Sequence, residues 1–174
     1  AVTELASGLL VNQGGRFDWR PLPRLTQAAP GKGALLVDLD ADGDLDLFLA
    51  QNLHPREPET GRWDGGISLL LRGDGTGDFT AVSPAESGLV VPGDARGLTT
   101  SDIDGDGRPD LTVTRNDDRT LVFMNRGAAP SLAVRLRGRA GNPTGLGARV
   151  TLVDGGGARR ACEIHGGSGY LSQS

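Results

Sequence analysis

Residues 37–52 read VDLDADGDLDLFLAQN, and residues 101–116, SDIDGDGRPDLTVTRN, repeat the pattern 64 positions later (38 to 102). Aspartate falls on alternate positions, a glycine sits mid-run, and an apolar stretch follows at once. With Asp38 as position 1, carboxylates occupy positions 1, 3, 5 and 9 as Asp38, Asp40, Asp42 and Asp46. Gly43 stands at 6, and Asp44 at 7 offers its backbone carbonyl. The second loop gives Asp102, Asp104, Asp106 and Asp110, with Gly107 and the carbonyl of Arg108. Unpaired carboxylates this close repel and favour partial protonation. A hard cation removes the conflict, and calcium accepts about six to eight oxygens in flexible geometry. Glycine at position 6 permits the sharp turn that brings position 9 back. An EF-hand requires a bidentate Glu at position 12 and a helix beyond it. Here position 12 is Leu49 or Val113, and LDLFLA and PDLTVT are strand-like. The expectation is two calcium sites, each opening a core strand.

The repeat extends outward from these loops. Leu47 and Asn52 match Leu111 and Asn116, and ISLLLRG (67–73) corresponds to TLVFMNRG (120–127). The first copy carries an insertion, LHPREPETGRWDGG (53–66). A partial copy, LLVNQGGRFDW (9–19), parallels LLLRGDGTGDF (69–79). Each unit reads strand, acidic loop, strand, turn, strand, Gly-rich turn, strand, the pattern of propeller blades. From about Ala128 the acidic loops stop. SLAVRLRG, GARVTLVDGG and ARRACEIHGG then read as consecutive strands with Gly-rich turns, the boundary marked by Pro130. The chain is therefore expected to be all-β. Residues 1–129 should form two propeller-type blades plus a partial one with two calcium loops, and 130–174 a small, incomplete β-sandwich-like module.

Composition agrees. Glycine and proline together make about 22% of the 174 residues, aromatics only 4%. The apolar residues fall in short clusters, with no sustained helical period. The net charge of −4 and pI near 5.1 argue against nucleic acid as a partner. Nine of the 22 acidic residues lie in the two loops, and two divalent cations would cancel the net charge. The single cysteine, Cys162, forms no internal disulfide framework. No apolar run is long enough for a transmembrane segment, and residues 1–8 do not read as a signal peptide.

DLDADGDLDLFLAQN and DIDGDGRPDLTVTRN, with the GDGTGDF turn, resemble FG-GAP/VCBS repeats, the blades of integrin-α-like propellers. VRLRGRAGNPTGLGARVTLVDGG and GGSGYLSQS are similar to the ASPIC/UnbV module of cartilage-acidic-protein-like secreted proteins. The resemblance implies a secreted, extracellular or cell-envelope location, calcium-stabilised blades, and adhesion or ligand binding rather than catalysis. It carries over Asp38, Asp40, Asp42, Asp46, Asp102, Asp104, Asp106 and Asp110 as side-chain ligands, and Asp44 and Arg108 through their carbonyls. A full propeller has four to eight blades. Open strand edges therefore favour pairing with a protein partner or with other copies, up to a filament. The alternative is a carbohydrate- or protein-binding domain of a larger exported enzyme.

Other features read more plainly. Arg72–Asp74 (RGD) ends a strand entering a Gly-rich turn, matching the NRG of the next unit. Cys162 and His165 are three apart on an expected strand, hence on opposite faces and poorly placed for zinc. Trp19 and Trp63 read as blade-edge covers. The insertion, with His54, Glu57, Glu59 and Trp63, is the candidate ligand-facing loop. The two histidines lie far apart and no G-x-S-x-G occurs, so the chain is expected not to be an enzyme.

Overall fold

A computed structural model describes residues 4–54, 59, 61–127, 132, 134–157 and 159–166. Its strands are β1 (Gly8–Asn12), β2 (Phe17–Pro21), β3 (Gly31–Val37), β4 (Asp46–Gln51), β5 (Leu69–Gly73), β6 (Phe79–Val82), β7 (Ala95–Ser101), β8 (Asp110–Arg115), β9 (Leu121–Phe123), β10 (Arg149–Val153) and β11 (Arg159–Glu163). They form four antiparallel sheets of neighbouring strands: β1-β2, β3-β4-β5-β6, β7-β8-β9 and β10-β11. The named helical elements are a 3-10 segment, Arg24–Ala28, and one α turn, α1 (Pro84–Ser87). The Ser83 side chain accepts from the Glu86 N–H to start that turn, and left-handed Gly88 ends it. The expected all-β class with almost no helix holds. Among the described residues no sheet closes on itself.

β4 organises the packing, because all six of its residues are buried. Successive strand side chains point to opposite faces, and here both faces are covered. Phe48 and Ala50 join Leu35, Val91, Ala95, Leu98, Leu111 and Val113, so one face packs against the β7-β8-β9 sheet. Leu47 and Leu49 join Leu71 and Leu22, with Leu9 against them, so the other face packs on the β1-β2 hairpin. A strand buried on both faces needs an unbroken apolar run rather than alternation, which is why LFLA follows the acidic loop directly.

The repeat in sequence is a repeat in register. Val37 pairs Asp46 and Leu36 pairs Leu47; 64 residues on, Ser101 pairs Asp110 and Thr100 pairs Leu111. Both pairings carry an irregularity at the equivalent place, between Gly31 and Gly33 and between Ala95 and Gly97. Asn52, fully buried at φ 84°, ends β4. Its amide donates to the Gly66 and Gly93 carbonyls at 2.7 and 2.9 Å, tying the insertion and the segment before β7 to the central sheet. Asparagine is among the few residues that tolerate this left-handed conformation.

One expected strand does not form where it is described. β10 and β11 lie within GARVTLVDGG and ARRACEIHGG, but residues 134–138 of SLAVRLRG are not in a strand. A strand exists only where a neighbouring edge takes up its N–H and C=O groups, and here the chain instead turns, with the Gly138 N–H donating to the Pro143 carbonyl at 3.0 Å. Alternation in VRLR is a periodic signal with no paired edge behind it.

Phe48→Ala should cost about 3–5 kcal/mol, since Phe48 is 1% exposed at the sheet interface. Leu36→Ala, at a site 45% exposed, should cost less than half as much. Urea denaturation of the two variants checks the assignment of faces.

Candidate metal centre

The acidic loops connect β3 to β4 and β7 to β8, so each is gripped at both ends by paired strands. Within them, Asp38, Asp40 and Asp42 bring carboxylate oxygens within 4.8 Å of one another, and Asp102, Asp104 and Asp106 do the same. The internal hydrogen bonds are nearly superimposable. Gly43 N–H donates to Asp38 and Gly107 N–H to Asp102, each at 3.0 Å. Asp42 N–H donates to Asp40 and Asp106 N–H to Asp104, each at 3.3 Å. Asp44 N–H donates to Asp42 at 2.9 Å and Arg108 N–H to Asp106 at 3.0 Å. Positions 4 and 6 are left-handed in both loops: Ala41 and Gly43, Gly105 and Gly107. This conformation turns successive N–H groups inward and leaves the carboxylates side by side.

Position 9 plays a different part. Asp46 and Asp110 are 2% and 1% exposed and lie outside the three-carboxylate groupings. Asp46 accepts from the Leu39 N–H and the Gly73 N–H, both at 3.1 Å. Asp110 accepts from the Ile103 N–H and the Asn125 N–H, both at 2.8 Å. Each thus clamps position 2 of its loop to the strand that follows. The Asn125 side chain then donates to the Leu39 carbonyl at 2.8 Å, so a run of hydrogen bonds links Asp110, Asn125, Leu39 and Asp46 across the two units.

The electrostatics favour a cation. Burial, with Asp42 nearby, pushes the Asp38 carboxyl above the ordinary carboxylate range despite the Ala41 and Gly43 N–H groups and Arg160. Burial likewise raises Asp46, aided by Asp40 and Asp42 and opposed by its two N–H donors. One Asp38 oxygen, Oδ1, is buried without a hydrogen-bond partner. Arginines flank both loops, from different positions of the two units. Arg72 meets Asp40 at 3.0 Å, and Arg126 meets Asp104 at 3.2 Å and Asp106 at 3.9 Å. Arg108 adds a contact to Asp106 at 2.8 Å. A groove of about 710 Å³ beside the first loop is lined by Asp40, Arg72, Arg126, Leu70, Leu111 and Phe123. Three carboxylates with a fourth behind them form a donor set of hard oxygens, which suits a hard cation better than a soft metal.

The insertion is a separate feature. Leu53 and Trp63 exchange backbone hydrogen bonds at 2.9 Å each, closing the loop. His54 is in contact with Arg62 at 3.2 Å and lies 3.9 Å from Asp64. Trp63 is 57% exposed and Glu59 is exposed; Glu57 lies outside the described residues. The sequence pattern picked out the carboxylates but not Asn125 or the arginines. The RG of 72–73 and the NRG of 125–127 look alike in sequence but are offset in register, since Asn125 takes the place of Gly73, and nothing in the local pattern marks Asn125 as a bridge. Cys162 lies exposed on β11, while His165 lies past that strand's end.

The chain matches no protein-family model, and none of the curated proteins compared with it is similar.

Asp46→Asn and Asp110→Asn should each destabilise the protein by about 1–3 kcal/mol in the presence of a chelator, because the amide keeps one acceptor oxygen and sets its NH2 against the other buried N–H. Asp40→Asn, at a side chain 38% exposed, should cost less than about 1 kcal/mol without cation. Chemical denaturation in chelator distinguishes the clamping carboxylates from the cation-facing ones.

Proposed function

We propose that the chain is a calcium-structured β-repeat module of the FG-GAP/VCBS type, working outside the cell or in its envelope. It acts through adhesion or assembly rather than catalysis. The observation that carries this reading is the twofold occurrence of one carboxylate grouping, with the same N–H contacts, at the entrance to a core strand. A chance acidic turn has no reason to recur in register.

In this reading Asp38, Asp40 and Asp42 would hold one ion, and Asp102, Asp104 and Asp106 the other. Asp46 and Asp110 complete each set, since a carboxylate oxygen accepting one N–H keeps a further lone pair. The carbonyls of Asp44 and Arg108 supply the remaining protein oxygen. The bound ion would favour the charged carboxylates that burial and, less, the neighbouring aspartates disfavour at Asp38 and Asp46, so its contribution is to folding: an ion that binds the folded chain alone stabilises it. The stacked sheets are read as blades of a propeller-type array. Strand edges without a sheet partner among the described residues, such as the outer edge of β9, offer backbone groups to another strand, in a partner or in a second copy.

The second reading, a carbohydrate- or protein-binding domain of an exported enzyme, draws on exposed Trp63 at the rim of the closed insertion. Glycan binding lost on Trp63→Ala would favour it.

Melting temperature and particle size with about 2 mM calcium, then with chelator, test the main proposal, extracellular modules binding in the millimolar to sub-millimolar range. Calcium at about two- to twentyfold over Kd contributes about 0.7–1.8 kcal/mol per site, which for a domain of this size raises Tm by about 1–7 °C per site. Particles far above 18.0 kDa with calcium would support an assembly unit, and a stabilised monomer a binding module. An unchanged Tm would overturn the calcium reading.

A further inference from the structure

The two acidic loops agree in nearly every internal hydrogen bond, yet one external contact of the first has no counterpart among the described residues around the second. Arg160, in β11, reaches across 118 residues of sequence to the first loop. Its Nη2 donates to the Asp42 carbonyl at 3.2 Å, and its Nη1 lies 3.7 Å from Asp38 Oδ2. The guanidinium lies against Gly43, and a Cβ at that position would collide with it. In the second loop, cation contacts reach Asp104 and Asp106 from Arg126 and Arg108, both near the loop in their own repeat. A guanidinium brought from a separate hairpin belongs to the first loop.

From this we infer that Arg160 is a tethered competitor for the first loop, and that binding of a divalent cation there releases the β10-β11 hairpin. The inference rests on the calcium reading above. Arg160 takes up two groups of the loop, the Asp38 carboxylate and a backbone carbonyl, and both are of the oxygen type a hard cation needs. Like charges at one carboxylate group exclude one another, so a divalent ion displaces the weaker, half-exposed guanidinium. Among the described residues the hairpin has little else to hold it. Every described side chain of β11 is exposed, and in β10 only Val150 is half-buried. An element with so few buried contacts belongs to the low-stability end of a fold and moves when one contact is lost. The first site then binds more weakly than it would alone, and the position of the hairpin reports its occupancy.

The experiment uses the full chain, its only cysteine, Cys162, labelled with a maleimide fluorophore, and compares it with Arg160→Gln. Calcium affinities are measured by titration calorimetry, with Asp102→Asn/Asp104→Asn removing the second site in both backgrounds so that the first is read alone. Label anisotropy is followed in parallel. The expected result is that Arg160→Gln tightens the first site about two- to fivefold, the range an exposed ion pair supports. Calcium should lower the anisotropy of the wild type, whereas Arg160→Gln should start low and respond little. Equal first-site affinity in the two proteins, or an anisotropy indifferent to calcium while calcium binds, overturns the competition and leaves the calcium reading standing. No calcium binding by either protein overturns both. Arg160→Lys separates charge from shape: it should retain part of the competition, and full loss would overturn a role for the positive charge.

Discussion

A buried carboxylate at the point where a loop becomes a strand takes up two backbone N–H groups, and the rest of this molecule is built around that arrangement. Asp46 holds Leu39 and Gly73; Asp110 holds Ile103 and Asn125. Burying a charge is costly unless it is hydrogen-bonded, and these pairs of N–H groups supply the compensation. In return each carboxylate fixes three segments at once: the acidic loop, the central strand it opens, and the start of the turn beyond the third strand. Asn125 then joins the two clamps by donating to Leu39, so neither loop can shift without disturbing the other unit.

The same arrangement explains why acidic and apolar residues lie so close in the sequence. The clamp ends at Asp46, and the next residue, Leu47, already faces one hydrophobic layer while Phe48 faces the other. A strand covered on both sides leaves no room for a polar position until Gln51 and Asn52, whose amides find backbone carbonyls. The loop's remaining carboxylates are pushed to one end of the sheets, where their mutual repulsion is an electrostatic cost to the cation-free chain. Arginines from β5, from the segment after β9 and from β11 answer part of that cost. Contacts of this exposed kind contribute little to stability individually, so the loops stay receptive to a stronger cation.

Much of this was legible in the linear pattern. The spacing of Asp38, Asp40 and Asp42 and its copy at 102–106 foretold which carboxylates converge, because alternate residues in a tight glycine-bearing loop are brought side by side by local geometry alone. The four-strand order around the first loop, the strand–turn–strand of 9–19 and the near absence of helix follow from short apolar runs and turn residues, which are also local; around the second loop the expected fourth strand is not among the described strands, and the sheet is β7-β8-β9. Position 9 was expected as the last side-chain ligand, yet Asp46 and Asp110 lie outside the three-carboxylate groupings. That its oxygens are engaged by N–H groups of distant segments depended on where β5 and the end of β9 pass.

The sequence by itself determined most of the strands and the two carboxylate groupings, since each depends on residues within a few positions of one another. Only the tertiary structure decided the rest. It set which sheet covers which face of β4, that VRLR lacks an edge to pair with, that Asn125 bridges the repeats, and that Arg160 lies over the first loop. Those outcomes join segments from tens to more than a hundred residues apart, and no local period encodes which edges and charges meet once the sheets have stacked.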